Sequence, residues 1–321
     1  MLTFRHALPE DIAPAIKILF TAYTPIYEGF REQMGNELFN VFFGGWEGPK
    51  EERITKMISG IHGYAALLDG QVAGWGHWWP VSGSRTLAAL SENAVAADLR
   101  GRGLGREIHE HLMDRMREEG FTHVRVGTGL DPAHAAARRA YAKVGFEKGL
   151  PNIDYYAAIS ELSSGSDPHI RPVREEDFPR ITEIALVSWD EIHRIYAEEH
   201  LGQTLHDAVF SGWQDRLCAD LRIWMQKGYV YELDGKIVGF VSYMSSGKYA
   251  NLGYNAVDPA MRGHGIAGKM YAYAFDRMRE EGLGYVTVHT GLDSAHAAAR
   301  HSYEKAGFGY TIPHIDYYRA L

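Results

Sequence analysis

A chain whose second half restates its first is built to fold as two copies of one domain. This sequence of 321 residues repeats itself at a shift of 162. Asn93-Ala-Val returns as Asn255-Ala-Val, and Arg100-Gly-x-Gly as Arg262-Gly-x-Gly. Asp114-Arg-Met-Arg-Glu-Glu-Gly recurs from Asp276, Thr128-Gly-Leu-Asp-x-Ala-His-Ala-Ala-Ala-Arg from Thr290, and Pro151-x-Ile-Asp-Tyr-Tyr from Pro313. About half of roughly 64 ungapped positions are identical. A period this long marks duplicated domains, since solenoid units run to about 20–50 residues.

Upstream the copies drift apart but stay aligned. Arg5 through Asp11 parallels Arg171 through Asp177, and Leu68-Asp-Gly-x-Val-x-Gly parallels Leu233-Asp-Gly-x-Ile-x-Gly. Between the copies lies Ser160-Glu-Leu-Ser-Ser-Gly-Ser-Asp-Pro-His169, small, polar and broken by Gly and Pro as linkers are. The expected division is domain 1 over residues 1–160, a linker over 161–168 and domain 2 over 169–321. An apolar fraction of 45% lets each half bury a core. The formal net charge of −8 argues against nucleic acid as a partner, because phosphate binding calls for a basic face. Cys218 is the single cysteine, so no intrachain disulfide is available and no Cys-based metal site is suggested. No stretch reaches membrane-span length and the N-terminus lacks the apolar run of a signal peptide. The expectation is a soluble, cytoplasmic protein with no membrane partner.

Within each copy the pattern reads strand, helical region, three strands, helix, strand, helix, strand, which predicts an α/β fold around a mixed sheet. In the first copy Leu2–Ala7 is a strand, and Asp11 is placed to cap a helix over Ile12–Thr21. Residues Glu28–Ser59 read as mostly helical, broken at Gly44-Gly45. Asp69-Gly70 turns a hairpin between His62–Leu68 and Val72–Trp79. Ile108, Leu112 and Met116 stripe one face of a helix over Gly103–Glu119. Asp131 caps a further helix over Ala133–Val144. His109 and His111 lie two apart and face different ways on their helix, so no metal site is read there.

The informative element is a strand, then Arg100-Gly101-Arg102-Gly103-Leu104-Gly105-Arg106, then a helix; its counterpart is Arg262-Gly263-His264-Gly265-Ile266-Ala267-Gly268. A helix start offers unpaired N–H groups and the positive end of the helix dipole, and glycines let an anion approach the backbone closely. Arg102 and Arg106 add charge in the first copy, His264 and Lys269 in the second. This predicts a phosphate-bearing ligand. Gly263-x-Gly-x-x-Gly268 also fits the dinucleotide fingerprint. That fingerprint needs an acidic residue at the end of a second parallel strand, whereas Asp276, Glu280 and Glu281 fall in the same helix, and the first copy lacks the spacing.

Both halves resemble the GNAT superfamily of acetyl-CoA-dependent N-acetyltransferases. The resemblance rests on Arg5-x-Ala-x-x-x-Asp11, on Val257-Asp-Pro-x-x-Arg-Gly-x-Gly-Ile-Ala, and on Ala-x-x-x-Tyr-x-Lys-x-Gly-Phe at Ala137–Phe146 and Ala299–Phe308. It implies two tandem domains, each a mixed, mostly antiparallel sheet flanked by helices. It also implies that the loops hold the pyrophosphate of acetyl-CoA, while the preceding strands, ending at Val95 and Val257, pair with its pantetheine and splay from their neighbours. The family's general-acid tyrosine falls on Tyr141 and Tyr303. Many relatives carry a glutamate base on the strand before the loop, for which Glu92 is the nearest carboxylate; its counterpart is Tyr254. Glu92 stands out of the register expected for that role. His134 and His296 occupy a position where relatives often have a cofactor-touching asparagine, which implies cofactor or helix-start hydrogen bonding.

Aromatic residues Tyr23, Tyr27, Phe30 and Trp46, and Trp189, Tyr196, Trp213 and Trp224, fall in the segment that shapes acceptor pockets in relatives. Most are expected to be core, and because the copies differ most here they are expected to take different acceptors. The reading is acetyl transfer to a primary amine of a small molecule or peptide by direct attack, with one or both halves catalytic and the first favoured. The other reading is a non-catalytic acyl-CoA-binding or sensory module. A monomer or a homodimer fits either.

Overall fold

The computed structural model of the chain describes residues 2–321. The first copy runs through strand β1 (Leu2–His6), helices α1 (Ile12–Phe42) and α2 (Glu47–Ile58), and strands β2 (Gly63–Leu68), β3 (Gln71–Pro80) and β4 (Leu87–Val95). Helix α3 (Leu104–Glu118), strand β5 (His123–Gly129), helix α4 (Ala135–Lys143) and strand β6 (Lys148–Ala158) follow. The second copy repeats the order from β7 (Ile170–Pro172) through α5 (Phe178–Ile195), α6 (Gln203–Phe210), α7 (Trp213–Trp224), β8 (Gly228–Leu233), β9 (Lys236–Ser246) and β10 (Tyr249–Val257). It ends with α8 (Ile266–Glu280), β11 (Tyr285–Gly291), α9 (Ala297–Ala306) and β12 (Tyr310–Ala320).

Local chemistry sets most of these elements. Asp69 and Gly70 both take positive φ (51° and 82°), the primed turn whose twist matches the flanking strands. Asp234 and Gly235 do the same in the second copy (49° and 73°). Asp11 does not cap α1 as expected. Its carboxylate turns back to accept from the Leu8 N–H (2.7 Å) and the Arg5 guanidinium (2.6 Å), and Asp177 repeats this with Arg174 and Arg171. Helix α1 also runs on past Thr21 to Phe42, with Pro25 inside it and a break at Gly35 (φ 76°).

The chain divides into two compact units. One holds residues up to Leu150 with Asp207–Val209 and Pro313–Leu321; the other holds Pro151–His206 and Phe210–Ile312. In the first unit the sheet order is β1-β2-β3-β4-β5-β12. All pairs there are antiparallel except β4 with β5, and β12 enters with Tyr317 opposite Val126. In the second the order is β7-β8-β9-β10-β11-β6, parallel only between β10 and β11, with Tyr155 of β6 opposite Val288. Each unit thus takes its sixth strand largely from the other copy of the repeat. The division at residues 161–168 marks the repeats, and the compact units depart from it by this exchange. The Ser164 hydroxyl and the Gly165 N–H both donate to Asp276 of α8, which ties this segment down (2.8 and 2.9 Å).

Each sheet is covered on both faces. In the first unit Ala15, Leu19, Ile54 and Ile58 pack on Trp75 on one side, while Ile108, Leu112, Met116 and Tyr141 pack on Trp78, Leu90 and Val126 on the other. Full burial of each such aliphatic side chain is worth roughly 2 kcal/mol. In the second unit Ile181, Ile184 and Leu221 cover Phe240, and Met270, Phe275 and Tyr303 cover Val241 and Val288. No helix among the described residues is long and apolar enough to cross a membrane.

Candidate active site

Two backbone irregularities on β4 create the site in the first unit. Pairing of β4 with β5 stops at Ala89 opposite Arg125, although β4 stays paired with β3 as far as Val95. The edge of Leu90–Val95 that faces β5 is therefore left outside that ladder. Between Leu90 and Asn93 the register with β3 shifts, so that Ser91 and Glu92 together oppose His77. Such a bulge re-aims side chains. It sends Asn93 toward α3 and α4, and Glu92 toward α2. β10 repeats both features: its pairing with β11 ends at Leu252, and a register shift falls between Leu252 and Asn255.

Below β4 the loop leads into α3. Gly101 and Gly103 hold φ of 80° and 88°, a conformation that favours glycine, and a Cβ at either would meet nothing within 4 Å. Gly103 is the N-cap of α3, whose first N–H groups have no partner within the helix. The open cradle, the splayed strand edge and the buried, unpartnered Ser91 hydroxyl fit the diphosphate and pantetheine of acetyl-CoA. Gly263 and Gly265 keep the same backbone in the second unit, and Ile266, Ala267 and Gly268 open α8.

The groove this forms measures about 830 Å³, the size of an ordinary small-molecule site. It gathers Glu92, Val95, Arg100, Gly101, Gly103, Leu104, Gly105, Arg106, His134 and Tyr141. Arg102 is not among its lining residues; its guanidinium reaches the Asp98 carbonyl (3.4 Å). Arg100 donates to the Val95 carbonyl (3.2 Å), and Arg106 pairs with Glu110 (2.8 Å). In the second unit Arg262 pairs with Glu191 (3.1 Å), and His264 turns onto the carbonyls of Met261 and Arg262. Lys269 does not serve the loop as expected, because it pairs with Asp167 and the Tyr231 hydroxyl (both 3.1 Å).

The Tyr141 ring is buried, and its hydroxyl accepts from the Asn93 amide (3.1 Å). His109 closes the chain at the Asn93 carbonyl oxygen (2.9 Å). Burial pushes His109 down to about 4, which keeps it neutral, and pushes the Tyr141 phenol up against the opposing effect of the Asn93 hydrogen bond. A phenol so placed keeps its proton. Tyr303, Asn255 and Tyr271 repeat the arrangement, with a tyrosine in place of His109 (3.0 and 2.7 Å).

Glu92 is 8% exposed and bonds Lys50 at 2.9 Å, with the Arg53 guanidinium 3.6 Å from the same oxygen. Burial pushes the carboxyl up to about 7. Burial, helped by Arg53, pushes Lys50 down to about 8. The Lys50 ammonium also lies over the Tyr23 ring, 4.3 Å from its centre. The second unit has no carboxylate at the matching position. Tyr254 stands there, bonded to Asp220 (3.1 Å) and flanked by Trp189 and Trp224. At Gly253, the counterpart of Ser91, a Cβ would collide with the Trp224 ring, so that indole covers the strand.

His134 and His296 stand at helix starts, hydrogen-bonded to the aspartates before them. Each bonds an aspartate, Asp131 or Asp293, through Nδ1 and through its backbone N–H, and His134 also lines the groove. His109 and His111 face different partners, His111 stacking on Phe4. Of the aromatic residues, Tyr23 lines the groove, while Trp46 is buried against Tyr27. Sequence reasoning missed Lys50, Arg53, His109 and Asn93. Only Asn93 left a signal, its identity with Asn255 inside the repeat.

The family model described as the acetyltransferase (GNAT) family matches the chain twice, over residues 31–146 and 189–308. A solved GCN5-related N-acetyltransferase from Sphaerobacter thermophilus aligns over 99% of this chain and 95% of its own, at 16% identity and a TM-score of 0.59. A tandem GNAT protein from the clavulanic acid biosynthesis pathway aligns over 100% and 98%, at 14% identity and a TM-score of 0.54. At these identities the likeness concerns the fold. No curated protein sequence matches the chain significantly.

Proposed function

The chain belongs to the GNAT acetyltransferase family, and on that premise we propose that its first unit transfers the acetyl group of acetyl-CoA to a primary amine by direct attack. The observation that carries this is that neighbouring residues of one bulge present a buried carboxylate, Glu92, and hold a buried phenol, Tyr141, through Asn93. Glu92 is aimed at the acceptor side, and Asn93 holds Tyr141 beside the loop.

When bound, acetyl-CoA supplies the thioester; the N–H groups at Gly103–Gly105 hold its diphosphate and β4 lines its pantetheine. An amine attacks only as its free base. Glu92, with a pKa near 7, takes the ammonium proton at its carboxylate. Tyr141 holds a proton at its hydroxyl for the departing sulfur, oriented by Asn93 and, through it, by His109. Attack without an acyl-enzyme agrees with Cys218 lying on α7, outside this groove.

The second unit keeps the loop but carries Tyr254 and Trp224 where the first has Glu92 and Ser91. We assign it the non-catalytic role of a scaffold or acyl-CoA-binding fold. The test is thiol release from acetyl-CoA across an amine panel. Tyr141→Phe and Glu92→Gln should each abolish most turnover, and Tyr303→Phe should leave it intact. The opposite pattern would move catalysis to the second unit.

A further inference from the structure

The acceptor end of the first unit's groove has an unusual charge balance. Among the described residues, Lys50 and Arg53 both direct their ion pairs to one carboxylate oxygen, Glu92 Oε1, at 2.9 and 3.6 Å. Both cations project from α2, one turn apart, and both line the groove. Tyr23 backs the Lys50 ammonium and fixes where it points. An amine close enough to give its proton to Glu92 therefore stands within a few ångströms of two cations.

A plain alkylammonium would bring a third positive charge to the one carboxylate that Lys50 and Arg53 already share, in a place where burial already disfavours charge. An acceptor that carries its own anion reverses the balance. Its carboxylate takes Lys50 and Arg53, Arg53 by the two-pronged geometry guanidinium groups favour. Glu92 is then released from Lys50 to receive the proton. The amine and the carboxylate must lie close together, because the two cations and Glu92 do.

We infer that the acceptor is an amine bearing a carboxylate next to it, an α-amino acid or a near homologue, with Lys50 and Arg53 binding the carboxylate. The inference rests on the acetyl-transfer reading for the site, and it is tested by binding rather than by turnover so that the two can fail separately. Calorimetric titrations use the intact chain saturated with CoA. N-acetylleucine is compared with N-acetylisoamylamine, and N-acetylphenylalanine with N-acetylphenethylamine.

The carboxylated member of each pair is expected to bind the wild type at least about tenfold more tightly. Lys50→Met and Arg53→Met, checked for unchanged acetyl-CoA affinity, should each erase most of that preference, and Lys50→Arg should keep it. Equal affinity within each pair, including no binding of either member, would overturn the inference, as would a preference that survives both Met variants. A preference for the carboxylate in a chain that acetylates no amine would leave the carboxylate site at Lys50 and Arg53 standing and defeat the catalytic reading. Turnover of amines without that preference would do the reverse.

Discussion

Replacing Glu92 with glutamine removes one titratable group and the negative charge that Lys50 and Arg53 share, while the side chain keeps its size and an oxygen to accept from Lys50. The carboxyl is 8% exposed, and burial lifts it from 4.5 to about 7. At about 1.4 kcal/mol per pKa unit, the folded chain favours the neutral form by about 3 kcal/mol. The folded pKa is raised, so this stabilisation is fully present below pH 4.5 and is lost as pH rises through about 7. Wild type measured against Glu92→Gln in urea should therefore lose about 3 kcal/mol between pH 4.5 and pH 8. Under the proposed mechanism the same group sets the rate. As a base Glu92 works only when ionised, so wild-type kcat/KM should rise with pH and level off above about 7. The variant should lose that limb and about 10²–10⁴-fold in rate, the usual worth of a positioned base. A stability difference flat with pH, or a variant with its rate and its limb intact, would refute the reasoning.

Three further outcomes follow from the same geometry. Tyr141→Phe should lower kcat about 100-fold or more with little change in KM, while Tyr303→Phe changes neither beyond about threefold in steady-state assays. Asn93→Ala leaves the Tyr141 hydroxyl and His109 without their shared partner. It should cost about 1–3 kcal/mol in chemical denaturation together with a fall in kcat. Gly129→Ala puts a Cβ onto the Asp131 carboxylate and the His134 ring. It should break the start of the short helix Pro132–His134 at a cost of about 1–2 kcal/mol, read as a lowered urea midpoint with an unchanged m-value.

The tandem fold is legible because a 162-residue repeat is visible without any structure, and the Asp69-Gly70 and Asp234-Gly235 turns name their own hairpins. The exchange of sixth strands is not. Pro151-x-Ile-Asp-Tyr-Tyr and Pro313-x-Ile-Asp-Tyr-Tyr carry the same side-chain pattern, so either segment suits either sheet, and nothing local says which one it joins. The loop glycines and both tyrosines can be read because their chemistry is local to a motif. Glu92 is found but reads as misplaced, since alternation along a strand assumes no bulge and the extra residue at Ser91–Glu92 shifts the register. Lys50 and Arg53 are ordinary helix-surface cations in sequence. Their approach to Glu92 comes from where the tertiary fold sets α2, which no periodicity records. Asp11 misleads for a related reason: its neighbour Arg5 competes with the helix N–H groups for the carboxylate and wins.

The central claim is that the first unit carries out acetyl transfer through its glycine cradle. The most direct measurement is thiol release from acetyl-CoA, over a panel of amines and amino acids, for the intact chain, Gly103→Trp and Gly265→Trp. The indole at position 103 fills the space over the α3 start and should abolish turnover, while the same change at 265 should leave it within a few-fold of wild type. Turnover that survives Gly103→Trp and disappears in Gly265→Trp would contradict the account, as would a chain that releases no thiol with any acceptor.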